Sequence, residues 1–196
     1  MAHCEDNEAD RDLGRYWEKQ FCRMATVQFG QTVTPLQVNL AGAARAYSIN
    51  DHSWNKYLLP DVVIWQLPGQ LHEIKHKCPT AKHKTYGLEV YRFESLIGFM
   101  EETDQNIYYT IHDWKLAGGR AIKENHLDHW VTVHIRELMG KQRGPFWGAS
   151  YVNGERKEVQ IFYWDANLWY SLQQLWEANL SRAWGRVPSR ETQVVR

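Results

Sequence analysis

The stretch LPDVVIWQLPGQLHEIKHK, residues 59–77, decides how this chain is read. Val62 to Trp65 is a short apolar run of the kind a buried strand requires, and Leu67-Pro68-Gly69 after it is turn chemistry. Residues 71–77 predict a second strand. Alternate side chains of a strand share a face, so Leu71, Glu73, Lys75 and Lys77 point one way and His72, Ile74 and His76 the other. With residues 66–70 as the loop, Trp65 pairs with Leu71, which sets Asp61 opposite Lys75 and Val63 opposite Glu73. Asp61 and Glu73 become diagonal neighbours on one face, roughly 7–8 Å apart at the backbone. Two carboxylates so placed can grip one hard cation, and the main-chain carbonyl of Ile74 can supply a third oxygen. Lys75 adds the positive group that phosphodiester hydrolysis needs beside the attacking water or the developing charge.

The flanking segments predict the elements that would hold this pair of strands. Leu13, Trp17, Phe21, Met24 and Val27 recur at helical spacing over residues 12–28, and Gly30 stops the helix. Residues 46–49 read as a short strand ending in Asn50-Asp51. Residues 77–86 form a basic loop containing Pro79. A helix over residues 88–102 turns Phe93, Leu96, Ile97 and Met100 inward, and residues 107–111 read as a further strand. Helix, strands, helix, strand is an α/β order. In the last third, Asn153-Gly154 marks a two-residue hairpin before a strand at 159–163. Asp165 is placed to cap a final helix carrying Leu168, Leu172, Leu175 and Trp176. The division expected is an acidic tail over 1–10, one domain over 11–181 and a basic tail over 182–196. Within that domain the core covers about residues 14–111 and the C-terminal decoration about 112–181.

Leu59-Pro60-Asp61, then eleven residues, then Glu73-Ile74-Lys75 resembles the PD-(D/E)xK signature of restriction endonucleases, Holliday-junction resolvases and related nucleases. The resemblance covers about residues 14–111 and does not reach the C-terminal third. It implies a restriction-endonuclease-like α/β core, to which a C-terminal β-hairpin and helix are added. It also implies hydrolysis of DNA phosphodiester bonds with magnesium or manganese. Asp61, Glu73 and the Ile74 carbonyl would bind the metal, and Lys75 would orient or acidify the water. In many members of that superfamily an acid on the first helix completes the metal site, and Glu18 stands where that acid is expected. Glu18 lies about 100° around the helix from Trp17, at the border of the apolar stripe.

Charge qualifies this reading. Lys plus Arg is 23 and Asp plus Glu is 23, so the formal net charge is zero, whereas a protein that coats nucleic acid is usually basic. Contact with DNA must then come from a local patch. Between residues 75 and 92, Lys75, Lys77, Lys82, Lys84 and Arg92 face Glu89 alone; Lys77, Lys82, Lys84 and Arg92 are the candidates for phosphate contacts. Two rivals follow: a non-catalytic nucleic-acid-binding or assembly protein that keeps the fold, and a globular interaction protein with no nucleic-acid role.

No apolar run approaches a membrane span, and the acidic first residues are unlike a secretory signal, so no membrane partner is expected. Cys4, Cys22 and Cys78 are scattered and odd in number, which suits a reducing cytoplasm. A homodimer is expected from family habit, because paired scission of a duplex or junction is most simply achieved by two sites about a two-fold axis. The histidines lack the paired spacing of a zinc module. His72 and His76 are expected to pack against a helix on the face opposite the site. The aromatic spacing of the final helix argues for core burial of its tryptophans, and Gly118-Gly119-Arg120 is too short for a phosphate loop.

Overall fold

The computed structural model describes residues 7–36, 43–48, 53–65, 70–121, 123–152 and 155–184. The fold is mixed α/β, and among the described residues the α-helices are α1 (Asn7–Phe29), α2 (Val90–Thr103) and α3 (Leu172–Trp184). The strands are β1 (Val33–Pro35), β2 (Ala43–Ser48), β3 (Ser53–Leu58), β4 (Val62–Ile64), β5 (Gln70–Lys77) and β6 (Thr85–Glu89). They continue with β7 (Asn106–Asp113), β8 (Trp130–His134), β9 (Arg143–Val152), β10 (Glu155–Asp165) and β11 (Tyr170–Ser171). The central sheet runs β1-β4-β5-β7-β8-β11 and is antiparallel except for β5 beside β7. A smaller antiparallel sheet runs β6-β10-β9, and β2 pairs with β3.

The central sheet separates two apolar clusters because its strands alternate. Val63, Leu71, Ile107, Tyr109 and Ile111 join Phe93, Leu96 and Met100 of α2 on one side. Val62, Ile64 and Ile74 join Trp17, Phe21 and Met24 of α1 and Leu172, Leu175 and Trp176 of α3 on the other. Each such aliphatic or aromatic side chain, fully buried, stabilises the fold by about 1.5–3 kcal/mol. Among the described residues no helix is long and apolar enough to cross a membrane. Cys22 and Cys78 are both free.

Several expectations need correction. Helix α1 begins at Asn7, inside the stretch read as an acidic tail, and α3 reaches Trp184, inside the stretch read as a basic one. Val27 is 74% exposed, because the buried stripe of α1 passes through Ala25 and leaves Val27 about 80° to one side of Trp17. Thr85 to Glu89, read as loop and helix start, is strand β6, which pairs with β10, and α2 begins only at Val90. The strand expected over 46–49 is β2, whose last residue is Ser48; Ile49, Asn50 and Asp51 lie outside the described residues, as do Leu67, Pro68 and Gly69.

Asp165 does not cap α3: it precedes the 3-10 turn Ala166–Leu168, which contains Leu168, without a side-chain capping bond, and Arg143 donates to both of its carboxylate oxygens at 2.7 Å. The start of α3 belongs to Ser171. Its hydroxyl accepts from the Gln173 N–H at 3.2 Å while Gln174 Oε1 accepts from its own N–H, a capping box written as Ser171-Leu-Gln-Gln174. The hairpin holds its expected register, with Val152 opposite Glu155; Asn153 and Gly154 lie outside the described residues.

Candidate active site

The decisive strands pair with a shifted register. Val62 faces His72, Val63 faces Leu71 and Ile64 faces Gln70, so the pairing runs from Ile64 and Gln70 rather than from Trp65 and Leu71. Trp65 is drawn away from Leu71 toward β1: its backbone N–H bonds Thr32 O at 3.0 Å and its indole N–H bonds Thr34 Oγ1 at 2.8 Å. A shift of this size keeps every side chain on its expected face, since the alternation repeats every two residues. It removes the pairing of Asp61 with Lys75, and Asp61 stands just before the first paired residue, Val62.

At this point the β4 ladder ends and a side chain takes over. The Asp61 N–H donates to His72 O at 3.0 Å, the last backbone contact between the two strands there. Asp61 Oδ2 then accepts the Ile74 N–H at 2.7 Å. A residue within a strand directs its N–H and C=O to the same edge, so the Ile74 carbonyl also turns toward Asp61. Three oxygen donors of the hard type preferred by magnesium therefore belong to one edge: the Asp61 carboxylate, the Glu73 carboxylate and the Ile74 carbonyl.

Glu73 is fully buried, and its charge is matched twice. Lys75 Nζ lies 2.5 Å from Glu73 Oε1. Arg92, on the first turn of α2, donates through Nε to Oε1 at 3.0 Å and through Nη2 to Oε2; Nη2 also bonds Leu59 O at 2.9 Å. Lys75 Nζ and Arg92 Nη2 each stand 3.8 Å from an Asp61 oxygen. Burial would raise the Glu73 pKa, but Arg92 and Lys75 outweigh it and bring the carboxyl down to about 2. Burial and the neighbouring Glu73 charge push Asp61 the other way, above the usual carboxylate range. Burial would lower Lys75, yet Glu73 and Asp61 hold it above its ordinary value, so it carries its proton firmly.

Glu18 reaches this charge cluster from α1, on the other face of the sheet. Burial raises its pKa to about 7, and Asp61 and then Glu73 repel its charged form, while Lys75 opposes them. It senses the site, but among the described residues no group of three His, Cys, Asp or Glu side chains stands close enough to hold a metal ion. The donors fit a magnesium ion that takes two carboxylates, a carbonyl and water. Such an ion would compete with Arg92 and Lys75 for the Glu73 oxygens.

The remaining sequence candidates are distributed differently. Lys77 donates to Gly87 O and lies 5.7 Å from the Tyr109 ring centroid, and burial lowers its pKa. Lys82 and Lys84 are exposed on the turn before β6. Sequence reasoning placed Arg92 against phosphate and missed it as the partner of Glu73. No local pattern signals that pairing, because it depends on how α2 packs over the sheet. His72 and His76 pack on α1 as expected, with ring centroids 5.0 Å from Phe21 and 5.2 Å from Trp17.

No family model matches the chain, and no curated protein matches it. Among solved structures the chain is similar to Hjc, a Holliday junction resolvase from the archaeal hyperthermophile Archaeoglobus fulgidus. The two are 10% identical with a TM-score of 0.46, over 84% of this chain and 95% of that one.

Proposed function

We propose that this protein is a metal-dependent nuclease of the PD-(D/E)xK type that hydrolyses DNA phosphodiester bonds. The observation that carries the reading is Asp61 accepting the Ile74 N–H where β4 ends, which puts two carboxylates, one carbonyl and Lys75 at a single edge. Asp61, Glu73 and the Ile74 carbonyl would hold magnesium or manganese, with Glu18 assisting through its neighbouring carboxyl. When bound, the cation supplies Lewis acidity to the phosphoryl oxygens and acidifies a water. Lys75, protonated beside both carboxylates, holds the nucleophilic water or meets the charge that develops on phosphate. Arg92 keeps Glu73 ionised and oriented in the metal-free protein, and once released it joins Lys77, Lys82 and Lys84 as a phosphate contact. A two-fold homodimer would place two such sites on one substrate, and light scattering on the free and DNA-bound protein tests that.

The test is cleavage of branched, linear and single-stranded DNA with magnesium, manganese, calcium or chelator. Cutting with magnesium or manganese, and binding without efficient cutting in calcium, is the expected pattern. Efficient cutting in chelator alone removes the metal from the mechanism. A second reading, a non-catalytic nucleic-acid-binding protein with this fold, is favoured by one observation: Arg92 and Lys75 already satisfy Glu73 without a metal. Salt-sensitive DNA binding with no cleavage under any metal would select it.

A further inference from the structure

A second surface, on the β6-β10-β9 sheet, leads away from this site. It consists of two adjoining hollows that share Thr80, Thr85 and Tyr163. The outer hollow, about 410 Å³, is lined by Thr80, His83, Thr85, Arg143, Phe146 and Tyr163. The inner one, about 220 Å³, reaches Lys77 and Glu89 past Gly87 and Ile161. Its inner end is close to the proposed site, since Lys77 follows Lys75 by two residues on the same face of β5, roughly 6.5 Å along the strand.

Two glycines let side chains pack closely on the strands of this sheet. A Cβ at Gly87 would lie 2.8 Å from the Tyr163 ring, and one at Gly148 would lie 2.6 Å from Ile161 Cδ1. Glycine at both positions lets Tyr163 and Ile161 lie against the strands instead of standing up from them. Phe146 stands at the rim, 55% exposed, with its ring centroid 6.2 Å from that of Tyr163. An aromatic side chain left in water beside a hollow of this size, with basic residues around it, matches what a nucleobase and its phosphate require. Lys77 and Arg143 line the groove with Glu89, Arg143 is paired with Asp165, and Lys82 and Lys84 flank the lining residue His83 on an exposed turn.

We propose that this groove binds unpaired nucleotides, with Phe146 and Tyr163 against a base and the lysines of the 77–84 segment against the backbone phosphates. The proposal rests on the nuclease reading and narrows it to substrates that carry a single-stranded stretch next to the scissile phosphate. Trp147 supplies an internal control. It neighbours Phe146 on β9, is 71% exposed and does not line the groove, because successive strand side chains point to opposite faces.

The experiment measures fluorescence anisotropy of a labelled oligothymidylate and of a labelled blunt duplex, in chelator so that nothing is cut. Phe146→Ala should weaken oligothymidylate binding at least about fivefold, the loss expected when one base-stacking partner is removed. Duplex binding should change less than about twofold, and Trp147→Ala should leave both affinities within about twofold. Equal losses for Phe146→Ala and Trp147→Ala, or an unchanged oligothymidylate affinity in Phe146→Ala, would overturn the groove. Lys75→Ala separates the two proposals, because it should stop cleavage while leaving oligothymidylate binding in place. Phe146-dependent binding without cleavage under any metal keeps the groove and sinks the nuclease. Cleavage lost in Lys75→Ala, with binding indifferent to Phe146, does the reverse.

Discussion

Glu73 and His72 are consecutive residues of β5, both fully buried, and they point to opposite faces of one sheet. On the α2 face, Glu73 keeps its charge because Arg92 and Lys75 reach both of its oxygens. On the α1 face, His72 meets the Phe21 ring and the Thr110 hydroxyl, 2.8 Å from Nδ1, and among the described residues no counter-charge. Burial alone lowers its pKa to about 3, so it stays neutral. His112 is treated in the same way: burial, and then His76 and His129, bring it to about 3 while it stacks on Trp17. Burial therefore dictates neutrality only where no opposite charge is supplied. The sheet spends its buried charge on one face, at the end of β4, and keeps the other face neutral and aromatic.

The largest effects should come from breaking the charged face. Asp61→Ala and Lys75→Ala should each reduce magnesium-dependent cleavage by about 100-fold or more, since a misplaced metal or an unassisted water loses several kcal/mol of transition-state stabilisation. Both variants should retain the wild-type circular dichroism spectrum. A variant that turns over at near wild-type rate would take its residue out of the site.

Arg92→Met tests whether Glu73 depends on its second cation. Breaking a buried ion pair by removing one partner costs about 3–5 kcal/mol; with Lys75 still present and Arg92 partly wet, about 2 kcal/mol is expected in urea denaturation. The same variant should bind magnesium more tightly in calorimetry, because Glu73 is then held by one competing cation instead of two. A loss below about 0.5 kcal/mol would mean that Lys75 alone balances Glu73.

The neutral face makes a prediction in pH. His72 has a folded pKa far below the unfolded value of about 6.5, so below that pH the unfolded chain takes up a proton that the native state refuses. Stability should fall as pH drops from about 6.5 toward 3, by about 2 kcal/mol by pH 5 from this residue. His72→Gln should flatten the pH dependence of the urea midpoint over that window, whatever it does to stability at neutral pH. An unchanged slope would place the pH sensitivity elsewhere.

The smallest effect belongs to Glu18, which looks across the sheet edge at the charged face. Its folded pKa, near 7, lies above the unfolded value, so its ionised form costs stability above about pH 7 and its protonated form does not below about pH 4.5. Glu18→Gln should raise stability above pH 7 by about 1 kcal/mol, a figure discounted for its partial exposure. Magnesium should raise the melting temperature of wild type more than that of the variant. Equal shifts would leave Glu18 outside any metal site.

Much of this was legible in advance because it depended on short-range periodicity. The two-residue repeat of β5 by itself separates Glu73 and Lys75 from His72 and His76, and that separation holds through the register shift. The helical repeat found the buried stripe of α1 through Trp17, Phe21 and Met24, and the inward face of α2 through Phe93, Leu96 and Met100. The Asn-Gly dipeptide at 153–154 predicted a two-residue hairpin, and Val152 pairs with Glu155 accordingly. Where local signals were weak the reading failed. Thr85-Tyr-Gly-Leu-Glu89 becomes a strand only because β10 lies beside it, and the Ser171 capping box was overlooked in favour of Asp165.

By itself, the sequence determined which side chains share a face and where an acid, a second acid and a lysine recur on neighbouring strands, because strand and helix periods are set by backbone geometry within a few residues. Only the tertiary structure decided that Asp61 accepts the Ile74 N–H, that Arg92 closes on Glu73, and that Phe146 overlooks a groove leading to Lys77. Those relationships join residues 13 to 69 positions apart. Their formation depends on how Trp65 is drawn to β1, how α2 packs over the sheet and how β10 finds β6, none of which a local pattern can specify.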